Sequence, residues 1–197
     1  MAAGRPKDRF FELYRQYITR DGNAALLEWL DTRTDFFVAP ASTRFHGAYR
    51  EGLLMHSLNV FDLLSLRNAK EEQAENPESI AIVSLLHDVC KAEFYKETTR
   101  NVKNETTGRW ESVPYYAIDD KFPFGHGEKS VYLIERFMKL KPAEAIAIRW
   151  HMGGFDDNAR LGGASVANAF GKFPLAVKLH LCDLEATYLL EIQKDDK

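Results

Sequence analysis

The sequence has only two cysteines, Cys90 and Cys182, and neither belongs to a CxxC pair. A disulfide scaffold or a zinc knuckle therefore does not organise the chain. Both thiols sit in apolar helical patterning and read as small buried hydrophobes. Long apolar runs are absent too, since nothing approaches the roughly 20 residues of a membrane span. The N-terminal MAAGRPKDRFFELYRQ has no apolar core of a secretory signal. A soluble, cytoplasmic protein without membrane attachment is the expectation. No glycine-, serine- or proline-rich linker and no internal repeat divides the 197 residues, so 1–197 reads as one domain. Charge of one sign is also lacking. With a net charge of -3 there is no basic excess, which argues against long duplex nucleic acid but leaves room for one phosphate or a short strand in a local cluster.

What is present is mostly helical periodicity. Residues 8–19 and 23–31 carry apolar positions at helical spacing on either side of Asp21-Gly22, which predicts a helical cap over residues 1–40. A broad apolar stripe of Leu53, Leu54, Leu58, Phe61 and Leu64 predicts a helix from 52 to about 69. Asn76-Pro77-Glu78 opens another helix, apolar all round and hence central, that leads into His87-Asp88. Helical patterning returns at Gly127, at Pro142 and at Pro174, with the glycine-rich stretch MGGFDDNARLGGA as a connector. The period breaks only in the Thr-, Val-, Tyr- and Trp-rich residues 94–118, where ETTG predicts the turn of a β-hairpin insertion. The charged KDDK tail reads as a frayed end.

The chemistry concentrates in His87-Asp88. An imidazole and a carboxylate adjacent on an apolar helix are costly to bury without partners, and a metal ion is the simplest shared partner. His56, His126, His151 and Asp183 supply four further ligand-type side chains, drawn from separate predicted segments, and a helical bundle with an inward-facing site accommodates that distribution. His126 lies between Gly125 and Gly127, where backbone can approach a site closely. His87 and Lys91 are four residues apart, so on one helical face the ammonium points toward whatever the histidine ligates. His180, three residues before Asp183, reads as an orienting neighbour of that carboxylate, and His46 as a packing or supporting group. Trp110, Tyr115 and Tyr116 suit either cross-strand packing or stacking on a base. Arg100, Lys103 and Arg109 suit either a solvated face or phosphate contacts beneath a lid.

The ordered set GLLMHS, LLHDVCK, FGHGEKS, RWHMGG and LHLCDLEA over residues 44–190 resembles the HD-domain metal-dependent phosphohydrolase superfamily, nearest in flavour to the HD domain of YhaM-type 3′–5′ exoribonucleases. The chain has no GYP triplet after His151 and no oligonucleotide-binding domain before the HD region. The resemblance implies a mainly all-α HD-domain helical bundle with a small β-hairpin insertion. It further implies that His56, His87, Asp88 and Asp183 hold one divalent transition-metal ion, and that Asp88 bridges to a second ion held by His126 and His151. A mononuclear site of the first four residues is the variant known in the nucleotidase branch. Asp88 and Lys91 are the expected catalytic residues, and Mn, Fe, Co, Ni or Zn the expected metals. The implied activity is hydrolysis of a nucleotide or other small phosphate ester or phosphodiester through a metal-activated water. A mixed-valent di-iron oxygenase uses the same six ligands, and a non-catalytic HD signalling module would keep only the fold. A homodimer through a surface helix is left open.

Overall fold

The computed structural model describes residues 5–156, 159 and 165–191. Part of the 152–164 connector and the KDDK tail lie outside them. Helix α1 (Pro6–Tyr17) starts with proline in its first turn and Asp8 on the positive end of its dipole, and α2 (Asn23–Arg33) follows Gly22. Helix α3 (Gly52–Asn68) and α4 (Pro77–Leu86) come next, the latter capped by Asn76 Oδ1 accepting from the Glu78 N–H at 2.8 Å. After the hairpin come α5 (His126–Glu135), α6 (Pro142–Trp150), α7 (Ser165–Lys172) and α8 (Pro174–Glu185). Prolines stand at the start of α4, α6 and α8, where the sequence pattern places them. The short α7 carries no signal that sequence reading used. Regular α-geometry in the last helix ends at Glu185, and a π-helical turn, Ala186–Leu190, follows.

One apolar core joins α1 to α6 and α8, and every residue of α4 from Ser79 to Leu86 is buried in it. That explains the all-round hydrophobicity of α4: it has no solvent face to make polar. The fold is the expected helical bundle with a small β-hairpin insertion. Its β-hairpin pairs β1 (Tyr95–Lys103) antiparallel with β2 (Trp110–Ile118), Thr99 opposite Pro114. In the turn, Asn104 Oδ1 accepts from the N–H groups of Thr106 and Thr107.

A buried ion cluster ties the N-terminal helices to the core. Arg20 donates to Glu78 at 3.0 Å and to both oxygens of Glu144 at 2.9 and 2.7 Å, while the Ser79 hydroxyl donates to Glu144 at 2.6 Å. Glu144 is fully buried. Removing its cation in Arg20→Ala should therefore cost about 3–5 kcal/mol, measurable as a lowered urea midpoint; an unchanged midpoint would contradict the cluster's role. Burial alone would raise the Glu78 carboxyl, but N–H groups of Thr19 and Arg20 and the Arg20 guanidinium hold it at about 2, below its ordinary 4.5. Because the folded value is the depressed one, this contribution is complete above pH 4.5 and disappears as the pH falls toward 2. Unfolding free energy measured across that window should lose part of its slope in the variant.

Candidate metal centre

Two helices end in the same way, and those ends build the site. Helix α4 stops at Leu86 with His87 as its C-cap, and α6 stops at Trp150 with His151 as its C-cap. Each ring turns back on its own helix: Nδ1 of His87 donates to the Ser84 carbonyl at 2.9 Å, and Nδ1 of His151 to the Ile148 carbonyl at 2.6 Å. A terminal carbonyl that would lack an intrahelical donor is satisfied in both cases. The doublet thus lies past the helix, not within it. Asp88 has φ -103° and ψ 19°, and Lys91 belongs to a 3₁₀ turn, Val89–Lys91. His87 and Lys91 therefore do not share the face of an α-helix, contrary to the expectation from their spacing. Lys91 instead reaches Asp88, with Nζ 2.7 Å from Oδ2.

His56 on α3 completes a set of three. Its Nδ1 donates to Glu191 at 3.0 Å, and Asn59 Nδ2 donates to the same carboxylate at 2.9 Å. With Nδ1 committed on His56, His87 and His151, each Nε2 presents a lone pair when its ring is neutral. All three lone pairs converge on carboxylates. His56 Nε2 lies 3.1 Å from Asp183 Oδ1, 3.6 Å from Asp88 Oδ2 and 3.2 Å from His87 Nε2. His87 Nε2 is 3.5 Å from Asp88 Oδ2. His151 Nε2 is buried without a hydrogen-bond partner, 3.4 Å from Asp88 Oδ1. Lone pairs facing one another in a dry interior repel unless a proton or a metal cation lies between them, so this donor set fits a cation.

Asp88 divides the centre. Oδ2 faces His56 and His87, whereas Oδ1 faces His151 and also His126, whose Nε2 is 2.9 Å away. Three groupings of these residues could each hold an ion: His56, His87 and Asp88; His87, His151 and Asp183; and Asp88, His126 and His151. All six residues predicted as ligands are brought together. His126 opens α5, and Gly127 beside it admits a close crossing: a Cβ there would lie 2.2 Å from the Arg149 carbonyl oxygen. That approach sets His126 beside His151.

The electrostatics express the same demand for positive charge. Burial disfavours the charged form of His56, yet hydrogen bonds to Asp183 and Glu191 raise it to about 10. Burial similarly opposes charge on His126, but Cys90 and Asp88 bring it to about 10. His87, desolvated and flanked by two imidazoles, falls to about 3. Burial would raise the Asp88 and Asp183 carboxyls, but Lys91 and His87 for Asp88, and His56 for Asp183, hold both below the ordinary range. Burial lowers Lys91, but Asp88, Tyr95 and Asp183 together raise it above its ordinary value, so its ammonium is held firmly.

A cavity of about 430 Å³ opens onto Asp88, Lys91, His126 and Asp183. A smaller one of about 210 Å³ shares Lys91 and His126 with it and is walled by Cys90 and Lys129. No residue of either β-strand lines these cavities, and Arg100, Lys103 and Arg109 are exposed, so the hairpin is no lid in this arrangement. His180 does not orient Asp183: its Nδ1 donates to the His151 carbonyl at 2.6 Å, and its ring packs on Gly153. Cys90 is buried as expected, yet its Sγ lies 3.4 Å from His126 Nδ1. Glu191 is the residue that sequence reading missed. It stands beyond the π turn, in a stretch with no motif to mark it.

Gly127→Ala should force α5 and α6 apart and destabilise the protein by about 1–3 kcal/mol; a wild-type melting curve would contradict the close crossing.

A family model described as HD domain matches residues 53–175, a span holding His56, His87, Asp88, His126 and His151 but ending before Asp183. Comparison with curated proteins and with solved structures gives no significant match. The family model matches more than half of the chain, and the chain therefore belongs to the HD domain family.

Proposed function

We propose that the protein is a metal-dependent phosphohydrolase acting on a small phosphate ester or phosphodiester, such as a nucleotide or short oligonucleotide. His56, His87, Asp88 and Asp183 would hold one divalent transition-metal ion, and Asp88, His126 and His151 a second. The observation that carries this reading is Asp88, whose two oxygens face two different groups of imidazoles. Nitrogen-rich donors with carboxylates favour Mn, Fe, Co, Ni or Zn over magnesium or calcium. Ions bound there supply a water of lowered pKa and neutralise charge on a phosphoryl group.

The chain's own groups have definable tasks. His56, His87 and His151 are fully buried, and their outer nitrogens are fixed by Glu191, Ser84 and Ile148, so their inner nitrogens are held in place. Lys91 lies on the cavity wall with one proton directed at Asp88, which leaves others for an anionic substrate oxygen. His126, with 29% of its side chain exposed, is the ligand closest to solvent and borders both cavities.

Turnover of bis(p-nitrophenyl) phosphate should depend on added transition metal and fall by orders of magnitude in a His126→Ala, His151→Ala double variant. Equal turnover in that variant, or none with any metal, would sink the dinuclear hydrolase, and dioxygen consumption by the iron-loaded protein would favour the oxygenase instead. Glu191→Gln should weaken metal affinity by about 10–100-fold, as expected for loss of a carboxylate that orients a ligand histidine. With His56 and His126 raised to about 10, loading near neutral pH should displace protons, so affinity should rise with pH. A pH-independent titration would mean that these rings are already neutral.

A further inference from the structure

The wall of the larger cavity includes three consecutive residues outside the six expected ligands, Arg44, Phe45 and His46, of which His46 lies close enough to His56 and Glu191 to form a further candidate metal grouping. They belong to a loop with a built geometry. Its ends are joined by Ala41 N–H donating to the Gly47 carbonyl at 2.9 Å. Inside it, the Ser42 hydroxyl accepts from the Phe45 N–H at 2.9 Å and donates to the His46 carbonyl at 2.7 Å. Gly47 docks the loop onto the start of α3, where a Cβ on Gly52 would lie 1.9 Å from the Gly47 oxygen. The Tyr95 hydroxyl adds a hydrogen bond to the Ala41 carbonyl at 3.2 Å. The loop is therefore held in one shape against the helix that carries His56.

Two of its side chains, Arg44 and Phe45, are open to a ligand, whereas His46 is turned toward the metal cluster. Phe45 is 70% exposed, unusual for a large aromatic side chain on a cavity wall. Arg44 is exposed and has no carboxylate partner among the described residues; its guanidinium lies over the Phe45 ring, 5.1 Å from the centroid. His46 Nε2 is buried with no hydrogen-bond partner, and its ring stands 5.0 Å from that of His56. A largely exposed aromatic ring and a guanidinium without a carboxylate partner, side by side on one cavity wall, suit a molecule that is planar in one part and anionic in another. With Lys91 and the proposed ions serving the scissile phosphate, Arg44 serves a second charge.

We propose that Arg44 and Phe45 form the specificity element of this site, selecting phosphate esters that carry a planar aromatic base and a second anionic group, that is, a nucleotide bearing two separate phosphates. The selection rests on the phosphohydrolase reading for its meaning, but the binding preference is measurable apart from it.

The test compares adenosine 3′,5′-bisphosphate, adenosine 5′-monophosphate and glycerol 3-phosphate on the metal-loaded protein, by kcat/KM, or by calorimetric Kd for any compound that is not turned over. Wild type should prefer them in that order. Arg44→Ala should lower the bisphosphate-to-monophosphate ratio by about 10–100-fold, the loss of one charge-assisted contact. Phe45→Ala should lower the monophosphate-to-glycerol-phosphate ratio by about fivefold or more, the loss of one stacking contact. Ratios unchanged in the variants, a flat wild-type preference or no binding of any of the three would overturn the proposal. Turnover with flat selectivity overturns it while leaving the hydrolase reading standing; selective binding without turnover does the reverse.

Discussion

The structure depends on three imidazoles whose outer nitrogens are tied down and whose inner nitrogens converge. His87 and His151 do this by closing the helices that carry them, each ring bonded to a carbonyl of its own last turn. His56 does it through Glu191. The arrangement would be repulsive as a set of neutral lone pairs around Asp88 and Asp183, and burial removes the water that could relieve it. The apolar core that surrounds α4 therefore has two effects: it stabilises the bundle, and it makes the polar cluster at its end intolerant of anything but a cation.

From that constraint the rest follows in order. Asp88 sits one residue beyond the C-cap, and the break into a 3₁₀ turn swings Lys91 back to its carboxylate. The close crossing at Gly127 brings α5 against α6, so that His126 meets the far oxygen of Asp88. The loop 41–47 closes over the same cavity from the α3 side. Apart from His56 within α3, the candidate site is thus assembled largely from the ends of elements, where backbone groups are free to orient side chains.

Much of this was readable in the chain. Proline and asparagine placed helix starts at 77, 142 and 174, and the shift to Thr-, Val- and Tyr-rich sequence placed the hairpin, because those signals act over a few residues. The six ligand-type residues were found from residue type and order. What escaped were contacts made across the fold by reach. Glu191 approaches His56 from 135 positions away, Cys90 touches His126 across 36, and the stiff 41–47 loop is held by its own hydroxyl and by glycine contacts that carry no periodicity. Misplacing Lys91 on a helical face came from extending α4 through the doublet; the competing bond from the His87 ring to Ser84 ends it first.

If the converging imidazoles and Asp88 form a metal centre, the protein must retain metal. Elemental mass spectrometry of the purified protein, before and after loading with transition metals and removal of excess, tests it most directly. The account predicts about two ions per chain; a protein that retains none under any loading condition would contradict it.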